Sequence, residues 1–338
     1  MKVLVTGATS GLGRNAVEWL LAAGHQVLAT GRDDAVGEIL RQCGAQFTAL
    51  DLARASAADC ADLVGEAEAV WHCAAKSSPW GPRDDFWQAN VTATERLTAA
   101  AGQRGVRRFI HISTPSIYFD YSPHHDIDET FRARRFANHY AASKYAAEQV
   151  LLQRVAQHPA TTFVMLRPRA LFGPHDRVIV PRLLAQIQRD NGVLRLPNGG
   201  NTLLDLTFVL NVVQAMWLAT DVPDLASGAV YNVTNQQPVT LAEVLRPLLN
   251  QQLGLNCAIR SLPASLLYGV AALMEGAALL TRREPLLTRY SVGAVSLDMT
   301  LSQQRVIDEL GYRPHYSMDE AIALTGAWWR QQGVGQRG

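Results

Sequence analysis

Two side chains that could transfer a proton together, Tyr140 and Lys144, stand four residues apart within 139–148. This run is rich in helix formers, and four residues make about one helical turn, so both side chains would lie on one helix face. A free phenol has a pKa of ~10, and moving it to neutrality takes about 4 kcal/mol, which an ammonium about 4 Å away can supply. The pair therefore predicts a tyrosine acid/base acting at a carbinol or carbonyl oxygen. Because this spacing is common in helices, the interpretation depends on the elements around it.

A glycine-rich segment follows a strand-like apolar run at the start of the chain. Residues 2–6 (KVLVT) predict a short buried strand, and 6–13 (TGATSGLG) lead into a helical pattern. The first glycine would permit a tight turn, the second would let backbone N–H groups approach a pyrophosphate, and the third would let the helix pack closely on the sheet. The alternative is an ordinary turn between strand and helix. We predict that the dinucleotide is bound by Gly7, Thr9, Ser10, Gly11, Leu12 and Gly13.

The end of the second predicted strand distinguishes between two dinucleotides. An acidic residue there would bond the ribose 2′-hydroxyl of NAD. This chain has Arg32 instead, and a planar guanidinium suits the 2′-phosphate of NADP, with Arg14 able to assist. We therefore predict NADP(H) in preference to NAD(H). The alternative is that Arg32 is a solvated surface residue and that Asp33 binds the ribose.

Two further strand ends could contact the dinucleotide. Asp51 and Leu52 follow the third predicted strand, where the Asp51 carboxylate could accept a hydrogen bond from the adenine amino group. The alternative for Asp51 is a helix N-cap. Ala74 and Ala75 follow the fourth strand, and their small side chains would let a nucleotide lie against the sheet edge. Simple core packing is the alternative for both alanines.

Hydroxyl side chains end the fifth predicted strand, residues 108–113. Ser113 and Thr114 would lie at the carboxyl edge of a parallel sheet, where such folds bind their ligands. A hydroxyl there could polarise the substrate oxygen beside Tyr140. The alternative is that the two hydroxyls cap local backbone groups.

Strand-like and helix-like segments alternate through the first half of the chain. The predicted strands are 2–6, 26–30, 46–50, 69–74, 108–113 and 162–166. Apolar strands separated by helices predict an α/β fold with a Rossmann-type doubly wound parallel sheet, covered by helices on both faces. The predicted domains are an NADP-binding Rossmann domain (1–166 plus about 204–235), a smaller, discontinuous substrate-binding region (about 167–203 plus 236–330) and a tail (331–338).

Composition and charge limit the classes of partner. The 338 residues are 48% hydrophobic and 18% charged, with a formal net charge of +1, which fits a soluble globular enzyme and gives no field directed at nucleic acid. The four cysteines show no metal-ligand spacing, so we expect no metal site. Because the first predicted strand begins at residue 2, we expect no signal peptide. These features predict a cytoplasmic protein.

The least polar stretch is 262–280 (LPASLLYGVAALMEGAALL). It contains a proline, a glutamate and two glycines, whereas a membrane span needs about 20 continuous apolar residues. We favour a packed helix or lid near a hydrophobic substrate. The alternatives are a weak interfacial contact with a membrane and, less favoured, a true span.

Five ordered motifs give a resemblance to a known family: TGATSGLG, HCAA, ISTPSIY, YAASK and LRPRALFGP. Over nearly its whole length the chain resembles the extended short-chain dehydrogenase/reductases. Segments 77–82, 204–215, 284–292 and 310–314 are most similar to the 3β-hydroxysteroid dehydrogenase-like branch. That branch includes sterol 4α-carboxylate dehydrogenases and bacterial reductases of 2-alkyl-3-oxo fatty acids.

The resemblance implies roles for individual residues. Tyr140 would be the general acid/base, and Lys144 would lower its pKa and bind the nicotinamide ribose. Thr114 would be the catalytic hydroxyl. Asn90, on the helix after the fourth strand, would orient backbone and water near the lysine, unless it only satisfies local backbone. Pro168 would lie against the nicotinamide.

The leading hypothesis is an NADP(H)-dependent oxidoreductase that interconverts a secondary alcohol and a ketone on an apolar substrate, of 3β-hydroxysteroid or 2-alkyl-3-oxo fatty acid type. A nucleotide-sugar epimerase or dehydratase would use the same tyrosine and lysine, together with basic residues for a second diphosphate. The arginines that keep this alternative open are Arg182, Arg189, Arg195 and Arg289. A non-catalytic NADP-sensing protein is disfavoured because the tyrosine and lysine are both present. The resemblance also allows a homodimer through the helices that carry Asn90 and Tyr140.

Overall fold

A parallel sheet of seven strands forms the centre of the computed structural model, which describes residues 1–335. The strands are β1 (Lys2–Thr6), β2 (Gln26–Gly31), β3 (Gln46–Ala49), β4 (Ala69–His72), β5 (Arg108–Ile112), β6 (His124–Ile127), β7 (Thr162–Pro168), β8 (Leu171–Phe172), β9 (Val193–Pro197), β10 (Leu203–Leu204), β11 (Thr207–Phe208), β12 (Ala229–Val233), β13 (Val239–Thr240), β14 (Ala258–Leu262) and β15 (Met299–Leu301). The central sheet has the order β12-β7-β5-β4-β1-β2-β3. This order is that of a doubly wound fold, so the predicted fold class is confirmed.

Helices cover both faces of this sheet and extend beyond it. They are α1 (Gly11–Ala22), α2 (Asp34–Gln42), α3 (Ala57–Val64), α4 (Arg83–Phe86), α5 (Ala93–Gln103), α6 (His139–Gln157), α7 (Ile179–Arg189), α8 (Val209–Asp221), α9 (Leu241–Arg246), α10 (Ala264–Thr281), α11 (Arg289–Ser296), α12 (Gln304–Leu310) and α13 (Met318–Gln331). A π-helical segment, Trp87–Thr92, joins α4 to α5. The long helix expected after the fourth strand therefore contains a bulge.

The central strands are buried on both faces, as their continuous apolar sequences predict. Val3, Val5, Trp71 and Ile110 have no exposed surface. Two separate groups of apolar side chains pack on the two faces of the sheet. All six predicted strands belong to this sheet, and β12 is added from the second half of the chain. Because the strands are parallel and in register, their carboxyl ends lie along one edge.

The remaining strands form small sheets beside that edge. One has the order β13-β10-β15-β6, and two pairs, β11 with β8 and β14 with β9, lie apart from it. These pieces come mainly from the predicted discontinuous region, although β6 lies earlier in the chain. The predicted domain boundaries stay a prediction. The predicted tail starts at the last residue of α13, and 336–338 lie outside the described residues.

Within the described part of the chain, one helix, α10, is long and apolar enough to cross a membrane. It packs against α11 near the carboxyl edge of the central sheet. This hairpin lies over the site described next, through the side chain of Tyr290.

Candidate active site

The glycine loop between β1 and α1 leaves no room for side chains on two of its three glycines. A Cβ on Gly7 would lie 2.8 Å from the backbone nitrogen of Ala74, and a Cβ on Gly13 would lie 2.2 Å from the Gly7 carbonyl oxygen. Gly11, with φ +51, faces open space instead. The loop is thus packed tightly on the sheet and open outward at the start of α1, where backbone N–H groups can receive a pyrophosphate.

The other predicted loop residues differ in their surroundings. Leu12 is buried in the core, and Thr9 packs against Gly31, where a Cβ would lie 2.6 Å from the Thr9 side chain. Ser10 occupies the N-cap position of α1, but its side chain makes no capping hydrogen bond. Its hydroxyl is therefore available to a ligand at the helix terminus.

A segment after β8 contacts both the glycine loop and the end of β2. The Gly11 N–H donates to the His175 carbonyl oxygen at 3.2 Å. Both terminal nitrogens of Arg177 lie 3.4 Å from one carboxylate oxygen of Asp33. Asp33 also caps α2 by accepting from the Val36 N–H at 3.1 Å. The sequence did not single out Arg177, because it lies more than 140 residues from the strand end that it contacts.

Arg32 is exposed, and within residues 1–335 it has no hydrogen bond or ion pair. Arg14, the expected helper, forms an ion pair with Glu18 at 2.6 Å. The basic neighbour that the structure brings to this strand end is Arg177, through Asp33. The residues present fit a 2′-phosphate, since one guanidinium is unpaired and a second is near it.

The strand ends predicted to hold the adenine and ribose lie beside this loop. Asp51 accepts from the Ala53 N–H at 3.2 Å within a turn, whereas Ser56 caps α3, so Asp51 is not the helix N-cap. Leu52 is buried in the core. Ala75 is exposed at the sheet edge. These positions are compatible with a nucleotide lying along the edge.

A chain of hydroxyl groups surrounds Tyr140 at the start of α6. The Tyr140 hydroxyl lies close to the Thr114 side chain, and burial raises the pKa of Tyr140 to about 12. Thr114 donates to the Ser116 hydroxyl at 3.0 Å, and Ser116 lies 2.6 Å from the Tyr290 hydroxyl. Thr114 also accepts from the Ser116 N–H at 3.1 Å, so the expected local capping is present as well. The sequence had identified Tyr140 and Thr114 but not Ser116 or Tyr290.

Lys144 is buried behind Tyr140, with an exposed fraction of 1%. Its ammonium donates to the Ile112 carbonyl oxygen at 2.6 Å and lies 3.0 Å from His111 Nε2. Burial lowers the pKa of Lys144 to about 8. The predicted lowering of the Tyr140 pKa by Lys144 needs correction for this structure, because burial dominates at the phenol and the ammonium hydrogen-bonds elsewhere.

Two buried histidines lie next to Lys144, and the sequence analysis did not identify them as part of the site. His72 is held between Thr6, at 2.8 Å, and Thr94, at 2.9 Å. Its ring centroid is 5.3 Å from that of His111. Burial and the charge of Lys144 hold the pKa of both imidazoles below the usual range. Neutral His111 can therefore accept a hydrogen bond from the ammonium, which fixes the position of Lys144.

Asn90 lies in the π-helical segment and is buried. Its carbonyl oxygen accepts from the Lys76 N–H at 2.7 Å, and its amide donates to the Lys76 carbonyl oxygen at 3.0 Å. The amide also donates to the Ser143 hydroxyl at 2.9 Å. Asn90 thus holds the backbone of Lys76 next to Ser143, the residue that precedes Lys144 on α6. π-Helical bulges often occur at functional sites.

A buried ion pair holds the elements that carry the site. Arg167 on β7 contacts both oxygens of Glu148 on α6, at 2.6 and 2.8 Å. Ser113, at the end of β5, donates to Glu148 at 2.5 Å, so its role is structural. Pro168 is buried next to this pair and aligns with Val233 on β12. Across the described chain, no group of three His, Cys, Asp or Glu side chains could hold a metal ion.

Comparisons with known proteins agree with this architecture. Residues 3–234 match the model of the NAD dependent epimerase/dehydratase family. The chain is 46% identical to protein YbjS of Escherichia coli (strain K12), whose function is uncharacterised, over 98% of this chain and 99% of the relative. It is 32% identical to a 2-alkyl-3-oxoalkanoate reductase of Stenotrophomonas maltophilia (strain K279a), over 95% and 97%. More distant relatives are named as a ketoreductase and as 3β-hydroxysteroid dehydrogenases.

Solved structures give the same fold. UDP-glucuronic acid 4-epimerase from Bacillus cereus, in complex with NAD, superposes with a TM-score of 0.76 over 98% of this chain and 97% of the other. The sequence identity is 18%. At that identity the similarity extends to the fold and not to the substrate.

Proposed function

Because the chain belongs to the NAD dependent epimerase/dehydratase family, we propose that it is an NADP(H)-dependent reductase of a ketone on an apolar substrate. The protein is an NAD(P)-dependent oxidoreductase acting on CH–OH groups of a small molecule. The finer proposal is supported by the neighbouring hydroxyls of Tyr140 and Thr114, at the start of α6 and just after the carboxyl end of β5.

Tyr140 is the proton donor in the proposed reaction. Its pKa of about 12 keeps the phenol protonated at neutral pH, which suits donation to a carbonyl oxygen. The Thr114 hydroxyl, next to the phenol, can hydrogen-bond to the same carbonyl oxygen of the substrate. Lys144, fixed by Ile112 and His111, holds an ammonium one helical turn from Tyr140, where it would bind the nicotinamide ribose. The nicotinamide, when bound, supplies the hydride.

The proposed preference is for NADP(H) over NAD(H). Asp33, which would bind the NAD ribose, already caps α2 and pairs with Arg177. Arg32 has no hydrogen bond or ion pair within the described residues, so its guanidinium is available to the 2′-phosphate of NADP. Replacing Arg32 by Ala should weaken NADPH binding by about thirtyfold, the effect of one charge-assisted hydrogen-bonded pair, and leave NADH binding unchanged. Fluorescence titration with each nucleotide measures both; equal affinities for the two nucleotides in the unaltered protein would refute the preference.

The proposed substrate is a 3-oxo acid or a 3-keto (3β-hydroxy) steroid. The relative that is 32% identical is a 2-alkyl-3-oxoalkanoate reductase, and the more distant ones include 3β-hydroxysteroid dehydrogenases. The exposed apolar face of α10, which packs on the helix that carries Tyr290, is compatible with an apolar ligand nearby.

The arginines that kept a nucleotide-sugar epimerase open all have carboxylate partners. Arg189 and Arg195 pair with Asp190, Arg182 with Glu284, and Arg289 with Glu275. A second diphosphate would have to displace these carboxylates. For this reason we favour the reductase, and a non-catalytic NADP-sensing role is disfavoured by the preserved hydroxyl network.

Location and assembly form part of the same proposal. We expect the protein to act in the cytoplasm, with a weak membrane contact through 262–280. A homodimer through the π-helical segment and α6 would follow the family resemblance. Sedimentation analysis measures the assembly directly.

The decisive experiment is a screen of NADPH oxidation against 2-alkyl-3-oxo acids, 3-ketosteroids and UDP-sugars. We expect turnover with one of the first two classes. Tyr140→Phe should lower that turnover by about a thousandfold and leave NADPH binding intact, because it removes only the transferable proton. Turnover of UDP-sugars alone would refute the proposed substrate class, and full activity of Tyr140→Phe would refute the role of the phenol.

A further inference from the structure

A guanidinium without a close counterion lies at the end of β7. Arg169 directly follows β7, and its Nε is buried with no hydrogen-bond partner among residues 1–335. Its side chain donates one long hydrogen bond, of 3.4 Å, to the Ala294 carbonyl oxygen. Arg167, two residues earlier, has a carboxylate at 2.6 Å. The two arginines therefore differ in whether the protein itself supplies their anion.

The surroundings of Arg169 connect it to the site. Arg169 donates to the Ala294 carbonyl on α11, and the same helix carries Tyr290, whose hydroxyl hydrogen-bonds to Ser116 next to Thr114. The acidic side chain that acts on Arg169 is Asp205. Asp205 accepts from the Leu301 N–H at 2.7 Å, and no ion pair joins it to Arg169 in the part of the chain that the structure describes. Buried charges are normally paired, so a cation in this position lacks an anion.

We propose that Arg169 binds a carboxylate of the substrate, which makes the preferred substrate a 3-oxo acid rather than a neutral ketone. The inference deepens the proposed function and rests on it. A guanidinium offers parallel N–H donors to a carboxylate, and this one has no carboxylate of its own among the described residues. A carboxylate bound there holds the oxo group of the same substrate near Tyr140 and Thr114.

The test compares one substrate in two charge states: a 2-alkyl-3-oxoalkanoate and its methyl ester. Arg169→Gln should raise KM for the acid by about thirtyfold, since a charged hydrogen-bonded pair is lost, and should change KM for the ester less than about twofold. Arg169→Lys should recover part of the loss. Arg305→Gln, which alters an exposed arginine on α12 paired with Glu309, is the matched control and should change neither.

Retained turnover of the ester shows that Arg169→Gln is folded. An equal loss on acid and ester would overturn the inference, because Arg169 would then only support α11 through Ala294. So would an unaltered protein that prefers the ester to the acid. If the unaltered protein reduces neither and acts on UDP-sugars, the proposed function fails together with this inference, whereas the first two outcomes leave the proposed function standing.

A second, independent observation concerns α10, which is apolar on nearly all sides yet largely exposed. Ala271 and Ala278 are its two buried residues out of 18. Leu273 is 78% exposed and Leu280 is 87% exposed. One continuous exposed face, without any charged residue, is formed by Leu266, Gly269, Val270, Leu273, Gly276, Ala277 and Leu280. A helix that is apolar all round is normally covered, so this face needs a partner.

The charges around this face identify the partner. Arg282 and Arg283 end the helix, and Arg260 lies on the strand before it; all three are exposed and have no ion pair in the described chain. The opposite side of α10 is held on the protein through Glu275, which pairs with Arg289 at 2.7 Å. A second copy packed antiparallel would bring positive ends together. An anionic bilayer would instead receive the leucines among its acyl chains and the arginines among its headgroups.

We infer that α10 lies flat on the surface of an anionic membrane. The test is co-sedimentation with vesicles of phosphatidylcholine alone or mixed equally with phosphatidylglycerol. Binding should be stronger on the mixed vesicles, weaken with salt, and fall by about thirtyfold in Arg282→Gln/Arg283→Gln, as expected for two basic residues at an anionic surface. Leu273→Glu/Leu280→Glu should abolish binding.

The matched control is Ile39→Glu, which alters an exposed apolar residue on α2 and should leave vesicle binding unchanged. Thermal unfolding and NADPH binding of each variant show that it is folded. Failure of the unaltered protein to bind either vesicle would overturn the inference. So would a dimer, seen by sedimentation, that Leu273→Glu/Leu280→Glu dissociates, because a second copy would then cover the face.

Discussion

Two regions of the molecule differ in whether the protein itself satisfies their polar and apolar groups. One is the junction of β5, β7 and α6, and the other is the α10–α11 hairpin. At the junction, Glu148 receives hydrogen bonds from Ser113 and Arg167 and is buried by the protein. On α10, by contrast, Leu273 and Leu280 face outward. Arg169, beside α11, lacks a counterion among the described residues. The ion pair at the junction is complete without a ligand, whereas the hairpin presents an uncovered apolar face, and Arg169, where β7 meets α11, presents an unpaired charge.

We infer from this difference that the junction determines the stability of the fold and that the hairpin determines which ligands bind. The junction fixes the backbone that carries Tyr140, Lys144 and Thr114, so it must not change when a ligand arrives. The hairpin contacts that backbone through Tyr290 and Ser116, and its unsatisfied groups are those that a substrate or a membrane can satisfy. Substitutions in the junction should therefore act on folding, and those in the hairpin should act on binding.

Glu148→Ala should give the largest effect on stability. Removing this carboxylate leaves Arg167 buried and unpaired, which costs about 3–5 kcal/mol in the free energy of unfolding. Urea unfolding followed by circular dichroism measures it. Glu38→Ala, which breaks an exposed ion pair with Arg41 on α2, is the control and should cost less than about 1 kcal/mol. Equal costs for the two variants would contradict the contrast between the regions.

Arg177→Ala tests the segment that reaches from the second half of the chain to the end of β2. If the guanidinium shares the 2′-phosphate with Arg32, NADPH binding should weaken by about tenfold and NADH binding should hardly change. Fluorescence titration measures both. Arg189→Ala, on the exposed surface of α7, is the control. An equal loss for NADH and NADPH would show that the segment only closes over the glycine loop.

The pH dependence of kcat/KM tests the buried lysine. Burial lowers the pKa of Lys144 to about 8, so its positive charge is present below that pH and is lost as the pH rises through it. The rate should then fall above pH ~8, by up to tenfold per pH unit, because the ammonium that is proposed to bind the nicotinamide ribose loses its charge. Tyr140, with a pKa of about 12, stays protonated across this window. Lys144→Arg should remove the fall; a flat profile in the unaltered protein would contradict the assignment.

The sequence predicted the dinucleotide-binding half well because local patterns determine it. Gly7 and Gly13 are required because an added Cβ would lie only 2.8 and 2.2 Å from backbone atoms, and such close packing leaves a recognisable spacing. The continuous apolar sequences of the strands also predicted directly that the strands are buried. Tyr140 was found by its spacing of four residues from Lys144, and Thr114 by its position at a strand end and by the family resemblance.

The sequence could not predict contacts that depend on distant segments. Arg177 meets Asp33, and Tyr290 meets Ser116, only because the second half of the chain folds back over the sheet. The direction of the Tyr140 pKa also depended on burial, which spacing along a helix does not reveal. The four arginines that kept an epimerase open could be judged only when their carboxylate partners were located. Local patterns therefore predicted the candidate acid/base residues, whereas their pKa values and charged partners depended on tertiary contacts.

Leu280→Ser should give the smallest effect on folding and is the sharpest test of the contrast. The side chain is 87% exposed, so its replacement removes little buried surface and should change the free energy of unfolding by less than about 0.5 kcal/mol. Leu97→Ser on α5, a fully buried leucine, is the matched control and should cost several kcal/mol, because a cavity and an unpaired hydroxyl are created. Urea unfolding measures both. A large cost for Leu280→Ser would mean that other parts of the protein cover α10 in solution. The apolar face of α10 would then be available neither to a membrane nor to an apolar ligand.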